Sequence, residues 1–395
     1  MDILDKCYNY LDAKKAREEG YYPYFKPIHS GAGSYVEIDG RRLLMIGSNN
    51  YLGLTQHEHV IECSRQAIER FGTGCTGSRF LNGTLELHEE LEDRLAKFMK
   101  REKALVFSTG FQTNLGVIAP LAGKRDIIIA DRDNHASLVD GCRLSFAKTV
   151  KYKHSDMDDL ERVLAHFSKN EVGKIIVTDG VFSMGGDLAK LPRICELAKK
   201  YDARVLVDDA HSIGVLGESG RGTASHFGLD GEVDLITGTF SKSFASIGGF
   251  VAGDEVVLDY IKHNSRPLIF SASMPPAAVA ATIAALNIIE SEPERRERLW
   301  ENTRIMKEGF EKLSFDTGVT QTPIIPVVVG EDLKTFAFWK ALFESGVFVN
   351  PVVSPAVPPG YALLRTSYMA THCPEELREV LHIFGRIGRK LGIIE

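Results

Sequence analysis

The sequence predicts an α/β protein with a mostly parallel central sheet and a smaller C-terminal α+β domain. Short runs rich in β-branched residues alternate with segments of helical periodicity between residues 104 and 238, and this alternation is typical of parallel strands joined by helices. After residue 290 the pattern changes to a long helical stretch followed by strand-like and helical segments. We therefore expect an N-terminal arm over residues 1–55, a large domain over 56–290 and a small domain over 291–395.

Five runs are predicted as strands of the large domain: ALVFS (104–108), DIIIA (126–130), KIIVT (174–178), RVLVDD (204–209) and VDLITG (233–238). The segment GGFVAGD follows the last run too soon for a helical crossover, so we expect it to pair antiparallel to a neighbour. One long helix within residues 270–313 is predicted to connect the domains. IIPVVVG, VFVNPVV and YALLRTS are predicted strands of the small domain, with a helix between the first two and another at the end.

Composition excludes several classes of protein. The formal net charge of -6 gives no basic surface for nucleic acid. The six cysteines form no CxxC pair and no zinc-ligand spacing, which indicates free thiols in a reducing compartment. The N-terminus does not resemble a signal peptide, and the apolar run PPAAVAATIAALNII is shorter than the roughly 20 residues of a spanning helix. We expect a cytoplasmic protein, and the sequence leaves peripheral contact with the inner membrane open.

The segment GTGCTG, residues 72–77, matches the glycine pattern of dinucleotide-binding loops. That motif requires a preceding strand, whereas the residues before it have helical periodicity. We therefore interpret these glycines as loop-forming. The sequence contains no phosphate-binding P-loop, no GxSxG elbow and no HExxH zinc motif.

Ligands of parallel sheets bind beyond the carboxyl ends of the strands, so the loops after the predicted strands are the candidate site. Lys242 lies in one of them, in TGTFSKSFASIGGF, with no acidic residue nearby in the sequence. A lysine after a strand is usually a solvated surface residue. A lysine held among small residues instead loses hydration, which lowers its pKa and makes its amine a nucleophile.

Other residues of these loops also admit a structural and a functional interpretation. Asp208 is either a helix N-cap or a counter-charge for a cationic ring, and His135 and His211 are either buried structural histidines or contacts to a planar ligand. Candidate contacts to a phosphate and its surroundings are Gly110, Phe111, Ser183, Thr239 and Ser241. The functional interpretations together supply what pyridoxal 5′-phosphate requires: a lysine, an acid for the ring nitrogen, an aromatic cover and phosphate donors.

The motifs TDGVFSMGGDLAKLP, VDDAHSIGVLGESGRG and TGTFSKSFASIGGFVAGD resemble those of the α-oxoamine synthases. These are fold-type I pyridoxal-phosphate enzymes with an aspartate aminotransferase-like fold, and they condense an amino acid with an acyl-coenzyme A and release carbon dioxide. The similarity extends from GSNNYLGL to LLRTSYMATH. GTGCTGSRFLNGT, FSASMPP, VFVNPVVSPAVPPG and Ser241 are most similar to the soluble bacterial branch that uses L-serine and palmitoyl-coenzyme A to form 3-oxosphinganine in sphingolipid biosynthesis.

The resemblance implies a role for each matching residue. Lys242 would bond covalently to the cofactor and act as the catalytic base, Asp208 would pair with the pyridine nitrogen, and His135 would stack on the ring. His211 would approach the ring oxygen and Ser183 the ring surroundings. The phosphate and its approach would be contacted by Gly110, Phe111, Thr239 and Ser241.

The same resemblance implies a homodimer with its active site at the subunit interface. The partner subunit would supply Ser271 or Ser273 to the phosphate, although Ala272 stands where some relatives have a hydroxyl residue. Asn50 and Arg365 would bind the substrate, with Arg365 receiving the amino-acid carboxylate. The alternative interpretation of Arg365 is a surface ion pair.

The resemblance leaves other activities open. Within the family these are glycine C-acetyltransferase, also called 2-amino-3-ketobutyrate coenzyme A ligase, and 8-amino-7-oxononanoate synthase. An aminotransferase of the same fold would need no coenzyme A, and a non-enzymatic binding protein would have no use for Lys242.

Overall fold

The computed structural model describes residues 2–168 and 171–395. The described strands are β1 (Tyr35–Ile38), β2 (Arg41–Met45), β3 (Lys103–Phe107), β4 (Ile127–Asp131), β5 (Lys148–Tyr152), β6 (Lys174–Asp179), β7 (Arg204–Asp208), β8 (Leu235–Thr239), β9 (Gly249–Gly253), β10 (Ile324–Gly330), β11 (Val347–Phe348), β12 (Asn350–Val352) and β13 (Ala362–Ser367).

The described α-helices are α1 (Asp5–Tyr8), α2 (Asp12–Glu18), α3 (Glu58–Phe71), α4 (Glu86–Phe98), α5 (Gly110–Leu121), α6 (Ala136–Leu144), α7 (Met157–His166), α8 (Leu191–Lys200), α9 (Thr223–His226), α10 (Glu255–Asn264), α11 (Arg266–Ile269), α12 (Pro276–Ser291), α13 (Pro293–Lys312), α14 (Asp332–Glu344) and α15 (Pro374–Lys390). Within the described ranges, none of them is both long enough and apolar enough to cross a bilayer.

A seven-stranded sheet forms the centre of the large domain, in the order β3-β9-β8-β7-β6-β4-β5. The five strands from β8 to β5 are parallel, and β9 runs antiparallel to both β8 and β3. This confirms the parallel sheet and the antiparallel pairing predicted for GGFVAGD. β5 is an edge strand that the sequence did not reveal. It contains two lysines in KTVKY, and charged residues, lysine above all, are typical of edge strands.

Both faces of the sheet are buried because its strands are apolar on both sides. Along β4, Ile127 and Ile129 belong to one hydrophobic core, whereas Ile128 and Ala130 belong to a second core on the opposite face. Helices cover both faces of the sheet. The polar loops that join strands and helices lie at the ends of the strands. The carboxyl ends of the parallel strands therefore open together on one edge of the sheet.

The C-terminal residues form a second layer around the antiparallel sheet β10-β13-β12. The expected single connecting helix is two helices, because Glu292 leaves the helical conformation (φ -119°, ψ 67°) and Pro293 starts α13. This break lies next to the domain boundary predicted at residue 291. The N-terminal arm is not separate from the small domain, since β2 pairs in parallel with β11.

Candidate active site

A cavity of about 360 Å³ lies at the carboxyl edge of the large sheet. It brings together eight residues that the sequence analysis selected: Gly110, Phe111, His135, Asp208, His211, Thr239, Ser241 and Lys242. Four further polar residues in its wall, Thr109, Asn114, Ser137 and Asp179, were not selected. The rule that a site lies beyond the strand ends therefore located half of the residues of the wall.

Asp208, the last residue of β7, is buried and its carboxylate is fixed by two donors. The backbone N–H of Ala210 donates to Oδ1 at 2.9 Å, and Nδ2 of Asn114 donates to Oδ2 at 2.6 Å. Donors of this kind hold a carboxylate in one plane. The residue can therefore present a fixed carboxylate to the cavity.

A second carboxyl group, Asp179, lies beside Asp208 on the neighbouring strand β6. Burial, and the negative charge of Asp208, raise the pKa of Asp179 well above its usual value. Its Oδ2 atom accepts the backbone N–H of His135 at 2.7 Å. Two adjacent carboxylates cannot both ionise without a large cost, so the raised pKa favours the neutral form of Asp179 beside Asp208.

Lys242 lies in the wall of the cavity, three residues after β8. Burial lowers the pKa of its amine to about 8, against the opposing effect of Asp208. The charge of Arg365 contributes to this lowering. About a tenth of this amine is therefore the free base at pH 7, far more than for an ordinary lysine, and the free base is the form that acts as a nucleophile or base.

His211 is buried and forms a 2.7 Å hydrogen bond through Nδ1 to the hydroxyl group of Tyr51. Burial, followed by the charges of Lys242 and Arg365, lowers the pKa of His211 well below its usual value. The imidazole is therefore neutral. Tyr51 was not identified from the sequence, because it comes from the N-terminal arm and is 160 residues away in the chain.

The other end of the cavity is suited to a phosphate. It contains the first residues of α5, whose backbone N–H groups lack intrahelical partners, and the hydroxyl groups of Thr239 and Ser241, 2.9 Å apart. A Cβ atom on Gly110 would lie 2.7 Å from Oγ1 of Thr239, so only glycine allows this close approach. The amine of Lys242, the carboxylate of Asp208 and this phosphate-binding end of the cavity together fit pyridoxal 5′-phosphate.

Arg365 lies on β13 beside this cavity and is 5% exposed. Its Nε donates to the backbone oxygen of Ser183 at 2.6 Å, and its Nη2 donates to Oδ1 of Asn49 at 3.0 Å. No carboxylate of the described residues forms an ion pair with it. Arg365 is therefore not a surface ion pair, and its remaining N–H donors are available to an anionic ligand.

Four further residues of the prediction do not line this cavity, and two of them, Ser271 and Ser273, were expected to reach it only from a partner subunit. The side chain of Asn50 is held by Thr55, at 2.8 Å, and by the backbone of Leu54, at 3.0 Å, so Asn49 and not Asn50 contacts Arg365. The other three do not line the cavity: Ser183 lines a neighbouring one, Ser271 accepts from Gln112, and Ser273 contacts the backbone of Gly77.

The neighbouring cavity measures about 880 Å³ and its walls are largely apolar, with Phe182, Val357 and Leu363 among its residues. His154 also lines it, with Nδ1 3.0 Å from Asp131 and Nε2 3.0 Å from Asp187.

Burial lowers the pKa of His154, but the hydrogen bonds to the two carboxylates outweigh this effect and raise the pKa to about 10. His154 is thus a protonated histidine with two counter-charges.

The family model for class I and II aminotransferases matches residues 41–384. The chain belongs to this family. Among curated proteins of the family, serine palmitoyltransferase from Sphingobacterium spiritivorum is 52% identical over 99% of this chain and 98% of its own length. An 8-amino-7-oxononanoate synthase from Thermoanaerobacter pseudethanolicus is 46% identical over 96% of both chains.

A solved structure of the same family has the same fold over its full length. It is a serine palmitoyltransferase that contains pyridoxal phosphate as an internal aldimine, and it is 38% identical with a TM-score of 0.96 over 100% of both chains. These similarities confirm the resemblance to the α-oxoamine synthases and the fold-type I architecture.

Proposed function

We propose that the chain is a serine palmitoyltransferase that holds pyridoxal 5′-phosphate and condenses L-serine with palmitoyl-coenzyme A. The observation that carries this proposal is a buried arginine without a carboxylate partner, Arg365, beside the partly deprotonated Lys242. That pair suits a substrate with a carboxylate and an acidic α-hydrogen. The choice of serine and palmitoyl-coenzyme A rests on the relatives, which are 52% identical in the serine palmitoyltransferase branch and 46% identical in the oxononanoate branch.

The cofactor would be held by the groups described above. Lys242 would bond to it, Asp208 would face the pyridine nitrogen, His211 the ring oxygen, and the first turn of α5 the phosphate. When bound, pyridoxal phosphate withdraws electrons from the α-carbon of the amino acid. His135 would cover one face of the ring.

Arg365 and Lys242 act in different steps of the reaction. Arg365 binds the carboxylate of serine and fixes its orientation. The free amine of Lys242 removes the α-proton. The α-carbon forms a bond with the thioester carbonyl carbon, the carbon–sulfur bond breaks and coenzyme A leaves. Loss of the carboxylate as carbon dioxide and reprotonation of the α-carbon give 3-oxosphinganine.

We also propose that two copies of the chain form a homodimer through the loop after α3 and the segment after α11. A hydrogen bond of 3.0 Å from Ser273 N to Gly77 O joins these two segments, and they expose Phe80, Leu81 and Phe270. Exposed apolar side chains grouped in this way favour a protein interface. In such a dimer Ser271 or Ser273 would contact the partner's phosphate.

Light scattering tests the dimer. The wild type is expected at twice the chain mass, and Leu81→Lys and Phe270→Lys are expected to shift it toward the monomer with a loss of activity. Val256→Lys, at another exposed apolar residue, is the control that should remain dimeric. A wild type that elutes as a monomer, or interface variants that stay dimeric, would contradict this part of the proposal.

Release of coenzyme A by the purified, cofactor-loaded protein tests the activity. With palmitoyl-coenzyme A we expect release in the presence of L-serine, and much less with glycine, L-alanine or L-threonine, with a product of the mass of 3-oxosphinganine. Turnover of glycine or alanine with a shorter acyl donor, and none of serine, would replace the proposed activity by one of the other activities of the family.

A further inference from the structure

Asn114, a residue that the preceding mechanism does not use, joins the two sides of the candidate active site. It lies one turn after Gly110 on α5 and is 2% exposed. Its Nδ2 atom donates both to Oδ2 of Asp208, at 2.6 Å, and to Oγ of Ser137, at 2.8 Å. Its Oδ1 atom accepts from the hydroxyl group of Thr237 at 2.8 Å.

The direction of these hydrogen bonds is fixed by Asp208. An ionised carboxylate only accepts hydrogen bonds, so the NH2 group of Asn114, not its oxygen, must face it. The two amide hydrogens are then used by Asp208 and Ser137. Thr237 donates to the amide oxygen on the other side, which is consistent with the same orientation.

The orientation of Asn114 determines what Ser137 does. Because its Oγ accepts a hydrogen from Asn114, its own hydroxyl hydrogen is free to be donated. Nδ1 of His135 lies 2.7 Å from this Oγ and also accepts the backbone N–H of Ser137 at 3.2 Å, as the N-cap of α6. With two donors directed at it, Nδ1 of His135 carries no hydrogen.

We propose that Asn114 is a positioning residue: through Ser137 it holds His135 in the neutral form with its hydrogen on Nε2, so that this histidine offers a donor to the substrate. The inference rests on the proposed function for the identity of that substrate. The hydrogen-bond chain runs from Asp208 through Asn114 and Ser137 to His135. One amide thus couples the carboxylate that faces the ring nitrogen to the histidine that covers the ring.

The burial of His135 supports the neutral form. Burial, with the nearby charge of Lys242, lowers the pKa of His135, against an opposing effect of Asp208. A neutral imidazole with Nδ1 as an acceptor has its one hydrogen on Nε2. His135 lines the cavity, so the donor can act on an oxygen of the substrate.

Nitrogen NMR of protein labelled with ¹⁵N-histidine tests the assignment, because protonated and unprotonated ring nitrogens give separate signals. The signals of His135 are identified by their loss in His135→Asn. We expect the cofactor-loaded wild type without an amino acid to show hydrogen on Nε2 only. Hydrogen on Nδ1, or on both nitrogens at neutral pH, would overturn the proposal.

Variants test the relay itself. In Asn114→Asp the new carboxyl group, hydrogen-bonded to Asp208, accepts from Ser137. The Oγ of Ser137, 2.7 Å from Nδ1 of His135, can then accept from it, and because the competing backbone N–H of residue 137 is farther away, at 3.2 Å, part of the hydrogen should move to Nδ1. Ser137→Ala is the matched control: the backbone N–H of residue 137 still donates to Nδ1, and hydrogen should stay on Nε2. The double variant Asn114→Asp/Ser137→Ala should return to Nε2, because the hydroxyl that transmits the change is gone.

Kinetics give a second measurement. Asn114→Asp is expected to lower kcat/KM for serine about 10²-fold, as for the loss of one directed donor.

If Asn114→Asp does not fold, as shown by circular dichroism, Asn114→Ala replaces it. In the nitrogen NMR spectrum of that variant, part of the hydrogen of His135 should move to Nδ1. An unchanged spectrum in the folded variant overturns the relay. If the wild type does not use serine, the proposed activity is refuted but the relay is not, because the NMR spectrum that tests the relay is recorded without substrate.

Discussion

Arg79 and Arg365 are both buried, but only one of them has a counter-charge. Arg79 forms a bidentate pair with Glu92, with nitrogen–oxygen distances of 2.8 and 3.0 Å. Arg365 donates to a backbone oxygen and to the amide oxygen of Asn49, and no carboxylate of the described residues forms an ion pair with it. Glu92 also accepts the backbone N–H of Val106 at 2.9 Å, so the first pair ties α4 to β3.

The same difference separates His154 from Lys242. His154 lies between two carboxylates, which keep it protonated, whereas Lys242 has no hydrogen-bonded carboxylate among the described residues and its pKa falls to about 8. In a buried ion pair the attraction between the partners offsets much of the desolvation cost of each charge, and removal of one partner is strongly destabilising. A buried cation without one costs stability, and the cost is recovered when an anionic ligand binds.

Lys242→Ala is expected to have the largest effect on turnover. Removal of the group that bonds to the cofactor and moves the α-proton should lower kcat about 10⁴-fold or more. Coenzyme A release measures the loss, and Lys262→Ala, at an exposed position on α10, is the control. Turnover of Lys242→Ala within tenfold of the wild type would show that another group is the base.

Arg365→Met should lower kcat/KM for serine about 10²-fold or more, because a charged hydrogen-bonded pair with the substrate is lost. The free energy of unfolding should stay unchanged or increase, since no carboxylate of the protein loses its partner. Steady-state kinetics and urea unfolding measure the two effects. A large loss of stability with an unchanged kcat/KM would mean that Arg365 is a structural residue.

Arg79→Met should show the opposite behaviour. Glu92 would remain buried without its partner, and we expect a loss of about 3–5 kcal/mol in the free energy of unfolding, with kcat/KM of the folded fraction within a few-fold of the wild type. The double variant Arg79→Met/Glu92→Gln is the control: it removes the unpaired charge, its amide oxygen can still accept the N–H of Val106, and it should recover most of the stability. No recovery would mean that packing, not charge, explains the loss.

The stabilising effect of His154 should depend on pH. Its folded-state pKa of about 10 is higher than the 6.5 of an unperturbed histidine. Its contribution is therefore fully present below about pH 6.5 and is lost as the pH rises to about 10. Urea unfolding of the wild type and of His154→Gln at pH 6.5, 8 and 10 should give a difference that shrinks with pH. A constant difference would contradict a charged His154.

The sequence predicted the parts of the site that lie in loops after strands. Lys242, Asp208 and His211 were selected because each follows an apolar run at the carboxyl edge of the sheet. Asp179 ends a strand in the same way and could have been selected by the same rule. Its effect on the site depends on the register of β6 and β7, which places Asp179 beside Asp208 and which the sequence does not show.

Other parts depend on contacts between residues that are distant in the sequence. Asn114 lies within a helix and carries no motif, and Tyr51 and Asn49 reach the site from the N-terminal arm. Asn50 was predicted to bind the substrate, and that stays a prediction; the residue that contacts Arg365 is its neighbour Asn49, because adjacent loop residues point in different directions and the sequence does not show which. Pro293 is a helix-breaking residue that could have indicated the break. The helical periodicity on both sides of it led instead to the prediction of one helix.

The central claim is that Arg365 is kept without a partner in order to bind the carboxylate of the substrate. The most direct measurement is the affinity of the cofactor-loaded protein for L-serine and for L-serine methyl ester, in the wild type and in Arg365→Met. The change in the absorbance of the cofactor reports binding. The claim predicts that the wild type binds serine about 10²-fold more tightly than the ester, and that the variant binds the two alike. Equal discrimination by both proteins would show that the carboxylate is bound elsewhere.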